Sequence, residues 1–201
     1  MISVEEMRLL EKNSGLPRGM LMENAGKGIA EALKQKLDIQ NKRILVVAYH
    51  GNNAGDGFVA ARHLCDDAEV DILFVGDEKR LKGETLMNFR KIENNEKVQI
   101  LSLESVDFSD YDIIVDAILG TGVSGDIRDP LATLIRNLAK AKGFKVSIDV
   151  PTGVHPDTGQ KSNAYFEPDL LITMHDLKKG LLDYKDKTVV VDIGIKPKIA
   201  E

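Results

Sequence analysis

The sequence predicts an α/β fold built on a mainly parallel sheet. Short apolar runs of strand length alternate with longer stretches of helical periodicity, the pattern of a sheet covered on both faces. One run, Asp112-Ile113-Ile114-Val115, is apolar without alternation, as a strand buried on both sides is. A dense turn, Gly51-Asn52-Asn53-Ala54-Gly55-Asp56-Gly57, separates the first strand run from a helical run. Such a turn places backbone N–H groups at a helix N-terminus, where anionic groups are favoured.

The elements follow in order. Ser3-Val4-Glu5-Glu6 fits a capping box, and its helix should run to about Asn13, with Gly15 as the stop. A second helix begins near Pro17 or Arg18 and runs to about Leu37, with Met22, Ala25, Ile29, Leu33 and Leu37 on one apolar face. These two helices form an extension ahead of the first strand, Arg43 to Tyr49. The glycine-asparagine loop comes next, and Phe58 to Leu64 reads as the helix after it. Val70 to Val75 is a strand, Lys82 to Ile92 a helix, and Val98 to Leu101 a short strand. Asp112 to Val115 is a strand ending at Asp116. Asp129-Pro130 reads as an N-cap with proline at N1, followed by the stripe Leu131, Leu134, Ile135 and Leu138. Phe144 to Ile148 is a strand ending at Asp149, and Leu170 to Thr173 and Thr188 to Val191 are two more.

Length and composition narrow the class. The 201 residues show no linker and no repeat, so residues 1–201 are expected to form one domain. A hydrophobic share of 43% and a charged share of 29% suit a soluble globular protein. The formal net charge of -5, without a basic stripe, argues against nucleic acid and anionic membranes as main partners. Cys65, the single cysteine, cannot form an internal disulfide and suits a reducing compartment. The first residues have no apolar core of a signal peptide, and no run approaches membrane-span length. A cytoplasmic protein is expected.

In open parallel sheets ligands bind beyond the carboxyl ends of the strands. Four polar or glycine-bearing segments fall there: the asparagine-glycine loop, residues 116–126, residues 149–153 and residues 173–180. Asp116 and Asp149 each follow an apolar strand run directly. Lys178 and Lys179 read as a solvated pair, with Lys178 the better placed to reach a ligand phosphate. Of the four histidines only His50 adjoins the motif. No Cys/His cluster suggests a transition metal.

Residues 51–64, with Leu21 to Gly26, Asp116 to Gly122, Ser147 to Gly153 and Lys178 to Leu181, resemble the NAD(P)H-hydrate epimerase family, the YjeF N-terminal domain. The likeness runs from about residue 3 to about residue 195. It implies a Rossmann-like three-layer αβα sandwich. It also implies an activity that interconverts the R and S epimers of hydrated NADH and NADPH. By that resemblance Asn52, Asn53, Ala54, Gly55 and Asp56 contact the substrate, and Gly120, Thr121, Gly122, Val123, Ser124, Gly125 and Asp126 wrap it. Asp149 contacts its reactive part and is the expected acid/base group, while Asn53, Asp116 and Thr152 bind a potassium ion. Oxygen ligands of this kind suit a hard cation. The glycines of residues 120–126 suit an anion nest for a diphosphate. The chain leaves no room for the dehydratase domain fused to this one in many relatives, so a separate dehydratase is the expected partner; a homodimer is compatible with the family. The sequence departs from the family pattern at Tyr49-His50 and at Ala54, where glycine is usual, and alanine at a position needing φ > 0 is strained.

Two other readings remain open at this level. One is a non-catalytic nucleotide-binding or scaffold protein of the same fold. The other is an NAD-dependent dehydrogenase, because Gly55-Asp56-Gly57-Phe58-Val59-Ala60 fits G-x-G-x-x-A, with Asp77 near the place of a ribose-binding acid. A serine nucleophile elbow and a P-loop are both absent from the sequence.

Overall fold

A computed structural model describes residues 1–122 and 125–196. The capping box forms as expected: the Ser3 hydroxyl accepts from the Glu6 amide, and the Glu6 carboxylate accepts from the Ser3 amide. It opens α1 (Val4–Asn13), and α2 (Arg18–Lys36) follows after Gly15, whose φ of 73° turns the chain. The remaining elements are β1 (Arg43–Ala48), α3 (Asn52–Leu64), β2 (Glu69–Phe74), α4 (Gly83–Glu93), β3 (Val98–Leu101), β4 (Ile113–Ala117), α5 (Leu131–Ala139), β5 (Phe144–Ile148), β6 (Leu170–Met174) and β7 (Thr188–Val191).

The strands form one seven-stranded sheet in the order β3-β2-β1-β4-β5-β6-β7, and every pairing is parallel. The order reverses between β1 and β4. That switch point opens a crevice at the carboxyl ends of the strands, where α3 and the segment after β4 diverge. Alternation along β1 explains the layers. Ile44, Val46 and Ala48 join Ile29, Leu33, Phe58 and Phe89 from α2, α3 and α4, while Leu45 and Val47 join Leu134, Ile135 and Leu138 of α5 on the other face. Each such side chain, fully buried, contributes about 1.5–3 kcal/mol of transfer free energy.

Two glycines let α3 sit where it does. A Cβ on Gly26 of α2 would lie 2.3 Å from the Val59 Cβ of α3, and one on Gly57 would lie 2.7 Å from the Ala117 Cβ of β4. Only hydrogen fits at either place, so α3 packs tightly on both α2 and the sheet.

Three local expectations need correction. The glycine-asparagine segment is not a loop: from Asn52 onward it is the first turns of α3, capped by Gly51. Asp116 does not follow β4 but lies inside it, one residue before its end. The N-cap of α5 is Pro130 rather than Asp129, although Asp129 Oδ1 still accepts from the Thr133 amide at 3.1 Å. Among the described residues, the only positive φ angles outside glycine belong to Asn41, Asp149 and His175. Ala54 is therefore an ordinary, fully buried helical residue, and its departure from glycine brings no strain.

Candidate active site

Asp116 has no exposed surface, and neither do Ser147 and Thr152 beside it. Cross-strand register places Ser147 of β5 beside it, and the Ser147 hydroxyl donates to Oδ2 at 2.9 Å. The Thr152 amide donates to the same oxygen at 2.8 Å, while the Thr152 hydroxyl (2.6 Å) and the Ile118 amide (3.2 Å) donate to Oδ1. All four donors are neutral, and among the described residues no lysine, arginine or histidine pairs with this carboxylate. Burial pushes its pKa up, and these hydrogen bonds oppose the shift.

Asn53, the second residue of α3, reaches the same corner. Its Nδ2 donates to the Leu119 carbonyl at 3.3 Å. Its Oδ1 is buried and has no hydrogen-bond partner among the described residues. Thr152 Oγ1 accepts from the Leu119 amide at 3.0 Å. An unpaired amide oxygen, a hydroxyl oxygen and a carboxylate without a counter-charge therefore gather at the ends of β1, β4 and β5. An orphaned buried acceptor costs about 1–3 kcal/mol unless something fills its site. The three side chains fit a hard monovalent cation, which would satisfy the amide oxygen and balance the single negative charge.

Asp149 is built differently. The Val150 amide donates to the Ile148 carbonyl at 2.7 Å, closing a three-residue turn around Asp149, whose φ is 63°. A γ-turn with positive φ at its centre is rare and strained, and strain of that kind clusters at functional sites. The Asp149 amide donates to the Ile172 carbonyl (2.8 Å), and its carbonyl accepts from the Thr173 hydroxyl (3.0 Å). Lys178 Nζ donates to Asp149 Oδ1 at 2.5 Å. The expectation of a solvated lysine pair is corrected here: Lys178 is 1% exposed, and its ammonium faces a carboxylate rather than a phosphate. Lys179 is the solvent-side member, paired with Glu6 at 2.9 Å.

Asp56 keeps a rim of exposed surface, yet burial of its carboxyl, then the charges of Asp149 and Glu11, push its pKa well above the usual carboxylate range. Lys178 opposes that shift. The N-terminal end of α3 also favours the carboxylate, but that effect is worth about 0.3–1 kcal/mol, and desolvation wins. Gly55, Asp56 and Gly57 spend their amides inside α3, and the Gly55 amide donates to the Gly51 carbonyl. The premise of a dehydrogenase-type pyrophosphate turn at these glycines is thereby removed.

The glycine-dense segment leaves β4 past this corner. A cleft of about 100 Å³ is lined by Leu119, Gly120, Gly125, Asp126, Gly153 and Lys161, among others. A Cβ on Gly120 would lie 3.3 Å from Asn53 Cβ and 3.7 Å from Asp149 Oδ2, so this glycine separates the two halves of the site. Thr121 is half-buried, and Gly122, Gly125 and Asp126 are exposed. Val123 and Ser124 lie outside the described residues. The far end of the segment is clamped by Asn163, which accepts from the Ile127 amide and donates to its carbonyl. Asn52 is exposed at the start of α3, apart from the buried corner that Asn53 reaches.

The structure thus brings Asn53, Asp116 and Thr152 together through Leu119, and sets Asp149 across Gly120 from Asn53, with Asp56 within electrostatic reach of Asp149. Sequence reasoning missed Ser147 and Thr173. Both are strand residues pointing into the carboxylate network, and polar residues near the carboxyl ends of otherwise apolar strands were the available signal.

A family model described as "YjeF-related protein N-terminus" matches residues 18–180. The NAD(P)H-hydrate epimerase of Nitrosopumilus maritimus (strain SCM1) is 36% identical over 211 residues, covering all of this chain and 98% of that protein. The protein of the same name from Cenarchaeum symbiosum (strain A) is 36% identical, with 98% of this chain and 96% of its own length matched. The bifunctional NAD(P)H-hydrate repair enzyme Nnr of Archaeoglobus fulgidus is 38% identical over 96% of this chain, which spans only 41% of it. Among solved structures, the crystal structure of yeast ynu0, YNL200c, superposes with a TM-score of 0.80 at 26% identity, over 94% of this chain and 86% of that one.

Proposed function

The chain belongs to the YjeF-related N-terminal family, and on that premise we propose that it is an epimerase interconverting the R and S forms of hydrated NADH and NADPH. The observation that carries this reading is the joining, across Gly120, of an oxygen-lined cation corner and a strained, lysine-paired carboxylate. The chain's match over nearly the full length of two proteins named as epimerases supports it.

The substrate carries a hydroxyl on the ring carbon next to the nitrogen, which makes it a carbinolamine. Protonation of that hydroxyl lets it leave as water, with the electron pair of the ring nitrogen forming a planar iminium. Water adding to the opposite face returns the proton and inverts the centre. One carboxyl group alternating as acid and base serves both halves of the step. Asp149 is that group. Asp56, within electrostatic reach of it, holds a proton at a pH where an ordinary carboxylic acid has lost its own.

Asn53, Asp116 and Thr152 would hold a potassium ion, which would supply positive charge near the substrate's phosphates; these side chains also tie the ends of β4 and β5 to the start of α3. The segment from Gly120 to Asp126 binds the diphosphate, where glycines leave backbone amides free to approach. A dehydratase acting on the same hydrated cofactors is its functional partner in this reading. No helix among the described residues is long and apolar enough to cross a membrane. The test is incubation with one resolved epimer, with and without potassium, followed by chromatography for the other. An epimer ratio that changes no faster than in buffer would sink the reading.

A further inference from the structure

Resting on the epimerase reading, we propose that Lys178 is a positioning residue for the reaction, holding Asp149 so that its second carboxylate oxygen faces the crevice. The side chain of Lys178 is 2% exposed. Its ammonium has three N–H donors, and three acceptors take them: Asp149 Oδ1 at 2.5 Å, Thr173 Oγ1 at 2.9 Å and the Met174 carbonyl at 3.2 Å. No donor remains for a substrate phosphate or hydroxyl, so Lys178 acts through Asp149. The Thr173 hydroxyl closes the ring, because it accepts from Lys178 and donates to the Asp149 carbonyl. Side chain and backbone of Asp149 are thus held from the same two residues.

With Oδ1 occupied, Oδ2 is the oxygen left without a hydrogen bond among the described residues. It lies 3.7 Å from where a Cβ on Gly120 would stand, on the side where Gly120 borders Asn53. The second restraint is on Lys178 itself. The chain leaves β6 through a turn like the one at Asp149: His175 has φ 63°, and the Asp176 amide donates to the Met174 carbonyl at 2.7 Å. This tight return brings Lys178 back over the end of its own strand. Ile2, from the N-terminal segment, bridges to Lys178 in parallel, with its amide on the Leu177 carbonyl and its carbonyl accepting from the Lys179 amide. Adjacent strands β5 and β6 therefore end in matching turns, one presenting Asp149 and the other the lysine that fixes it.

The test is a double-mutant cycle on the full chain, with kcat and KM measured for one resolved epimer. Lys178→Met is expected to lower kcat by about tenfold or more and to leave KM within about threefold, the pattern of a lost transition-state interaction. In an Asp149→Asn background the same change should cost less than about twofold, because its effect passes through the carboxylate. Thr173→Val should lower kcat in the same direction, and Thr173→Ser should restore it. Full turnover in Lys178→Met overturns the proposal. So does an equal fold-loss with and without the Asp149 carboxylate, which marks a purely structural role. Where Lys178→Met does not fold, wild-type turnover in Thr173→Val overturns it instead. A wild-type protein that leaves the epimer ratio unchanged counts against the epimerase reading and not against the lysine pairing.

Discussion

Asp116 in β4 and Asp149 just past β5 are the same residue type on neighbouring strands, and their surroundings differ at every level. Asp116 is fully enclosed, sits in regular strand geometry, and is satisfied by four neutral donors with no protein cation beside it. Asp149 is half-buried, sits at φ 63°, and has an ammonium on one oxygen and open crevice before the other. A buried carboxylate met only by neutral donors lacks a counter-charge, which a bound cation would supply. A carboxylate with one oxygen anchored by an ammonium and the other open presents a fixed oxygen to the crevice. The proposed division into cation ligand and acid/base group rests on these neighbours and not on the residue type.

The largest effect that tests the comparison is on stability. Asp116→Ala leaves the Thr152 and Ile118 amides and the Ser147 and Thr152 hydroxyls without their acceptor. The expected loss is about 3–5 kcal/mol, read from urea unfolding. Any stabilisation by potassium should vanish with it. A loss under about 1 kcal/mol would mean that the corner relaxes easily and is not built around this carboxylate.

Asp149→Asn should act on turnover instead. The amide oxygen can still accept from Lys178, so the thermal midpoint should move little, while kcat falls about a hundredfold or more. Unchanged kcat in a folded variant removes Asp149 from its role and collapses the distinction between the two aspartates.

The segment leaving the Asp116 corner offers a smaller effect. A Cβ on Gly122 meets nothing within 4 Å, so Gly122→Val should fold normally. Its side chain should keep the backbone away from the diphosphate and weaken NADP binding by about tenfold in calorimetry. Wild-type affinity would show that these glycines serve the turn alone.

The smallest effect separates Asp56 from both. Its pKa in the folded protein is raised above the ordinary value of 3.8, so the folded state holds the proton more tightly than the unfolded chain. Stability from this group is complete below that ordinary value and is lost as pH rises toward the raised pKa. Asparagine has no proton to lose. Asp56→Asn should therefore gain on the wild type as pH rises above the ordinary value of 3.8, by a few degrees in thermal midpoint, with the two curves converging in acid. Convergence at neutral pH with divergence in acid would instead identify Asp56 as an ion-paired carboxylate.

Much of this was legible in the sequence. Hydrophobic periodicity marked all seven strands and the helices between them, because burial on one stripe or on both faces leaves a period in the chain. The capping box at Ser3 and Glu6 was readable because its hydrogen bonds span only three residues. The strand-end positions of Asn53, Asp116, Asp149 and Thr152 followed from the same pattern, since α/β crossovers bring strand ends to one edge. Tertiary structure decided the rest. Asn52 to Gly57 became helix because Gly57 and Gly26 allow α3 to press against β4 and α2, a contact between segments far apart in sequence. Lys178 left solvent for the same kind of reason. The sequence set it apart from Lys179 only as the better placed to reach a ligand phosphate; the turn at His175, the bridge to Ile2 and the carboxylate of Asp149, 29 residues earlier, draw its ammonium inside. Local hydrogen bonds and periodic burial are written along the chain, whereas the partner of a buried charge is chosen by whatever the fold brings beside it.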